Sequence, residues 1–72
     1  MKRELTVDMR VVKDYGANYA IVLAIIKDSY KPMTITEVSN AAGITFPTAH
    51  KCLDMLADNQ FIHRVDKVYS KI

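Results

Sequence analysis

The sequence predicts a mostly helical α+β domain in which a three-helix core is followed by a C-terminal two-stranded β-hairpin. Three observations lead there. Apolar side chains recur at helical spacing through residues 17–29, where Tyr19, Val22, Leu23 and Ile26 share a face. Two capped helical segments, 36–42 and 45–59, meet at Gly43 and Ile44. Residues 61–72 are rich in β-branched and aromatic types and are divided by Asp66 and Lys67, as a tight turn divides two strands.

In chain order, residues 1–16 form an N-terminal extension with two readings. Asp8 caps a short helix with Met9, Val12 and Tyr15 on its apolar face, or Leu5, Val7 and Met9 alternate as a strand. In the 17–29 helix, Asn18 or Asp14 supplies the cap. Ala20, Ile21, Ala24 and Ile25 make that helix apolar nearly all round, which sets it at the centre of the core or gives its second face to a partner. The run Ser29, Tyr30, Lys31 and Pro32 stops it, because proline disfavours helical geometry in the preceding residue. Met33, Thr34 and Ile35 form a short β-type segment. Thr36 then caps the 36–42 helix, with Glu37 in the first turn, where the helix dipole favours an anion, and Val38 and Ala41 facing inward. Gly43 sits where a helix end wants a left-handed residue, Ile44 plugs the turn, and Thr45 caps the next helix. Pro47 falls in the first turn, where its missing N–H costs nothing. Ala49, Cys52, Leu53 and Leu56 form the apolar stripe of this helix, which ends at Asp58 or Asn59.

At 72 residues and 8.2 kDa the chain forms one domain, half hydrophobic and a quarter charged. Cys52 is the one cysteine and forms no internal disulfide, which points to a reducing compartment. With only His50 and His63 beside it as soft ligands, no structural zinc site is expected, and no other cofactor. The apolar run 19–26 is far shorter than the ~20 residues that span a bilayer. Lys2, Arg3 and Glu4 open the chain without an apolar signal segment after them, so the expected location is cytoplasmic. There is no glycine-rich phosphate loop and no nucleophile elbow. His50 and Cys52, two apart on a helix, point about 200° apart and cannot pair as base and nucleophile, so an enzyme is not expected.

A helix entering the major groove of DNA shows its N-terminal turns to the bases and packs its other face on a scaffold. With Ala49 and Leu53 inward, Pro47, Lys51 and Asp54 point outward, Thr48 and His50 lie on the flanks, and Phe46 sits at the exposed tip. The hydroxyls of Thr45 and Thr48 suit phosphates or base edges. Lys51 suits a phosphate or guanine, and the Phe46 ring a thymine methyl. The hairpin adds His63, Arg64, Lys67 and Lys71, placed for the backbone or the adjacent minor groove. The candidate DNA-binding set is therefore Thr45, Phe46, Thr48, His50, Lys51, Arg64 and Lys67. Each has a plainer reading. The threonines serve as helix caps, His50 as a partly exposed helix residue, Phe46 as packing on its own chain. The hairpin charges serve as a solvated edge that deters strand pairing.

Ala41, Gly43, Ile44, Thr45, then Thr48, Ala49, His50 and Lys51, then Leu53 and Leu56, make an ordered set. It resembles the DNA-binding domains of the IclR-like and MarR-like transcriptional regulators. The resemblance covers residues 17–72, with 36–62 carrying most of it. It implies a winged helix-turn-helix in which 45–59 is the recognition helix and 61–72 the wing, with double-stranded DNA as the partner. Two departures stand out. Asn59 and Gln60 follow the recognition helix where the family places glycine, and Asn59 is expected to take the left-handed conformation. The wing is short and lacks a tip glycine, which argues against minor-groove insertion.

Net charge is +2, and its distribution is uneven. Residues 1–32 carry six Lys and Arg against four acids, whereas 33–72 carry four against four. The positives of the second half are Lys51, Arg64, Lys67 and Lys71, with Asp54 and Asp58 trailing away from the helix tip. That predicts weak binding by a monomer and a homodimer through the first helix and N-terminal segment, since two half-sites double the contacts. The alternative is a winged-helix module that binds a protein in transcription or replication, or a host factor. A replication-initiator domain is a related variant, which the helix opening at Gly16 resembles.

Overall fold

One residue, Gly16, separates the first two helices and sets how they meet. In the computed structural model, which describes residues 7–72, α1 spans Met9–Tyr15 and α2 spans Ala17–Asp28. Asp8 caps α1 by accepting the Arg10 N–H at 2.9 Å. Gly16 then adopts φ 114°, a region closed to L side chains, donates to Val11 and Val12, and accepts from Ala20 to begin α2. Neither Asn18 nor Asp14 caps α2, because this backbone corner makes the transition without a side chain. The corner also decides which face of α1 is used. Val11 is buried against α2, whereas Met9, expected on the apolar face, is 70% exposed. Leu5, the start of the alternative strand, lies outside the described residues.

α2 is the central helix, as its apolar circumference implies. Ala20, Val22, Leu23, Ala24, Ile25 and Ile26 are all buried. It ends at Asp28, one residue before the expected end, and Ser29 folds the chain back through its hydroxyl, which both donates to and accepts from Lys31. Strand β1 is only Met33–Thr34, and helix α3, Ile35–Ala42, begins one residue earlier than the sequence suggested. The cap is Thr34 and not Thr36. Its hydroxyl accepts the Glu37 N–H at 3.2 Å while the Glu37 carboxylate accepts the Thr34 N–H at 2.9 Å. This reciprocal pair requires a three-residue spacing, which Thr34 has and Thr36 lacks. The Thr34 N–H, more than any other group, holds the Glu37 carboxyl below its usual range. Val38 is buried as expected, but Ala41 is exposed and Ser39 takes the inner position, its hydroxyl donating to the Thr36 carbonyl.

Gly43, left-handed at φ 69°, ends α3, and Ile44 packs half-buried against the core. Helix α4, Phe46–Asp58, starts at its cap Thr45 with Pro47 in the first turn. At its end the left-handed residue is Gln60, φ 65°, and not Asn59. The Gln60 N–H reaches Ala57 and the Phe61 N–H reaches Leu56, the paired bonds of a Schellman ending. That pattern puts the positive φ one residue beyond Asn59, whose side chain instead donates to the Met55 carbonyl.

Strands β2, Ile62–Val65, and β3, Val68–Lys71, pair antiparallel around Asp66 and Lys67, with Asp66 at φ 55°. The expected two-stranded hairpin gains a third member, because β1 pairs with the other edge of β3 to give the order β1–β3–β2. Val22, Leu23, Val38, Ala49, Cys52, Leu53 and Leu56 from α2, α3 and α4 form the core, closed by Val11, Ile62 and Tyr69. Among the described residues no helix is long and apolar enough to cross a membrane.

Candidate nucleic-acid interface

α4 has two distinct faces. Ala49, Cys52, Leu53 and Leu56 are sealed into the core, so Thr45, Phe46, Pro47, His50 and Lys51 are necessarily turned outward. The Thr45 hydroxyl accepts the Thr48 N–H at 3.4 Å and donates to the Thr48 hydroxyl at 2.9 Å. Both hydroxyls thus serve the cap while remaining at the exposed helix start. The Phe46 ring is half exposed, and its centroid lies 6.3 Å from that of His50, tilted 51°. It lies beside the histidine ring and keeps half of its surface in solvent.

Asp54 departs from the outward orientation expected of it. It is half-buried and turned toward the wing, where its carboxylate gathers three donors. His50 Nε2, one turn earlier on α4, lies 2.9 Å from Oδ2. Arg64 of β2 and the Tyr69 hydroxyl of β3 each donate to Oδ1 at 2.8 Å. Arg64 and Tyr69 are directly opposite one another in the β2–β3 register, which is how both reach one oxygen. The second terminal nitrogen of Arg64 is 4.0 Å from Asp58. Burial pushes the Tyr69 phenol up from its ordinary value, and its bond to Asp54 pushes it further. The Tyr69 hydroxyl and the Asp54 carboxylate raise the Arg64 guanidinium in turn, so it stays charged.

Between the start of α3, the outer face of α4 and the wing lies an open cleft of about 460 Å³. Phe46, His50, Arg64 and Lys67, four of the seven candidates, line it together with Asp54 and Tyr69. Thr45, Thr48 and Lys51 lie apart from it, on the exposed N-terminal half of α4. Among the described residues Lys51 and Lys67 carry no ion pair, in contrast to Arg64. Uncommitted positive charge therefore lies both in the cleft wall, at Lys67, and outside it, at Lys51, while the charge of Arg64 is committed.

Asp54 and Tyr69 are the members of this face that sequence reasoning missed. The i,i+4 spacing of His50 and Asp54 was a readable signal; the convergence of Arg64 and Tyr69 required the hairpin register. Among the described residues no three His, Cys, Asp or Glu side chains gather as metal ligands do.

Comparison with known proteins places this geometry. Residues 20–66 match the model of the IclR helix-turn-helix domain, a span that runs from the second turn of α2 to the tip of the wing. No curated protein and no solved structure matches the chain significantly.

Proposed function

The chain belongs to the IclR helix-turn-helix domain family, a DNA-binding domain of transcription regulators, and on that premise we propose that α4 reads the major groove while the wing contacts the backbone. The observation that carries this reading is the exposure pattern of α4. Its inner stripe is sealed, and its capped N-terminal turns, 45–51, are free to approach base edges. Lys51 on the helix and Lys67 at the wing tip, without ion pairs among the described residues, supply cations for phosphate contact. Phe46 presents an apolar half-ring for a thymine methyl, and the Thr45 and Thr48 hydroxyls stand at the helix entrance.

A single copy offers few such contacts, so the functional unit is a homodimer on a two-fold symmetric site. The exposed side of α1, with Met9 bare to solvent, supports a pairing surface there. A salt titration tests the reading. The protein binds duplex DNA with a log–log salt slope that becomes shallower by about 1 in each of Lys51→Ala and Lys67→Ala. No duplex binding at low salt, or slopes identical in all three proteins, overturns it. The exposed apolar surface of Phe46, in the same cleft as the committed Arg64, favours the second reading, a protein partner at this face. Pull-down of a protein together with blank gel shifts decides for that alternative.

A further inference from the structure

An acidic side chain within a face that meets a polyanion needs a reason, because it repels phosphate. The geometry around Asp54 supplies one. The Tyr69 hydroxyl needs an acceptor in its buried position, but a neutral amide would serve that need equally. Only a carboxylate also neutralises Arg64 and holds His50. These are two donors of the cleft that would otherwise turn to any phosphate within reach.

A guanidinium fixed through one terminal nitrogen keeps its other N–H groups in a set direction. The same holds for the imidazole. His50 Nε2 lies 2.9 Å from Asp54 Oδ2, which fixes the direction of the ring. Donors and acceptors with fixed aim distinguish base edges, whereas mobile cations distinguish little beyond charge. Building on the DNA-reading role of this face, we propose that Asp54 is its positioning and specificity-determining residue. It withholds Arg64 and His50 from generic phosphate contact and presents them in one geometry for sequence recognition. Generic affinity is left to Lys51 and Lys67.

The Asp54→Asn protein tests this, because asparagine preserves an acceptor for Tyr69 while abolishing the ion pairs. Binding to a mixed-sequence duplex is measured between roughly 50 and 200 mM salt. Freed from its carboxylate, Arg64 joins the phosphate contacts: Asp54→Asn binds more tightly at low salt, and its slope steepens by about 0.9. In an Arg64→Ala background the same substitution leaves the slope unchanged. Equal steepening in both backgrounds means that Asp54 acts only by repulsion, and no steepening in either means that Arg64 is not withheld. Either result overturns the proposal. A second measurement needs no substitution at Asp54. In the unaltered protein the Arg64 side-chain nitrogen resonances hold their positions when mixed-sequence duplex is added, while those of Lys67 move. Movement of the Arg64 signals overturns the proposal as well. If the unaltered protein binds no duplex, the DNA reading itself fails and this inference falls with it. Duplex binding with an unchanged Asp54→Asn slope overturns the inference alone.

Discussion

The Tyr69 hydroxyl donates to Asp54 Oδ1 at 2.8 Å, joining the middle strand of the sheet to the outer face of α4. Tyr69 is otherwise a core residue, with its ring buried beside Ile62 and the helices. One side chain thus contributes to the core through its ring and fixes the wing against α4 through its oxygen. Removing the oxygen alone separates the two. Tyr69→Phe keeps the packing and loses one charge-assisted hydrogen bond, so stability falls by about 1–2 kcal/mol in urea unfolding. A loss nearer that of a large core truncation would mean that the ring had also shifted.

The Thr34 cap gives a contrast between two threonines only two residues apart. Thr34→Ala removes the acceptor for the Glu37 N–H and costs about 1 kcal/mol. Thr36→Ala is nearly neutral, because Thr36 contributes its backbone carbonyl to Ser39 and its side chain is exposed. Thermal midpoints of the two variants check the order. A larger loss at Thr36 would place the start of α3 where the apolar pattern alone suggested it.

Much of this was legible in the sequence, and the rest was not for identifiable reasons. The stripe Ala49, Cys52, Leu53 and Leu56 was readable because a helix of this length repeats its buried face several times. The face of α1 was not, since a helix of seven residues barely completes two turns and the Gly16 corner sets its rotation. The Thr34–Glu37 spacing was present in the sequence, but the competing Thr36 lay closer to the apolar run. The candidate face was legible as a set of residues; its internal wiring was not. His50 and Asp54 are local neighbours on a helix, whereas Arg64 reaches Asp54 only through a hairpin whose turn has Asp66 at positive φ in place of glycine. No local pattern announces that register.

Alkaline pH weakens the fold through two buried groups. Burial raises the Cys52 thiol above its ordinary 9.0, with Lys51 opposing, and burial followed by the Asp54 bond raises the Tyr69 phenol above 10.0. Each group therefore keeps its proton in the folded protein at a pH where the unfolded chain has released it. With fewer protons bound in the unfolded state, stability falls as pH rises. The contribution is intact below the ordinary values and is lost through the range above them. Urea midpoints measured between about pH 7 and 11 fall first near the thiol range and again near the phenol range. Cys52→Ala removes the first step and leaves the second. A flat profile in the unaltered protein would contradict both assignments.

Gln60 offers a stabilising substitution at the end of α4. Its φ of 65° is left-handed, and the Schellman bonds from Gln60 to Ala57 and from Phe61 to Leu56 require that conformation. An L residue held there costs about 1–2 kcal/mol in local sterics. Glycine removes that cost but adds about 0.5–1 kcal/mol of unfolded-chain entropy. The first effect wins, so Gln60→Gly raises stability by about 0.5–1 kcal/mol. Gln60→Val tests the same geometry from the other side. A β-branched side chain tolerates the left-handed region worst, so this variant loses stability although the position is exposed. Because Gln60 lies between α4 and β2, both effects appear as changes in global unfolding and not as local fraying. Equal stability in the glycine and valine variants would show that residue 60 is not left-handed in solution.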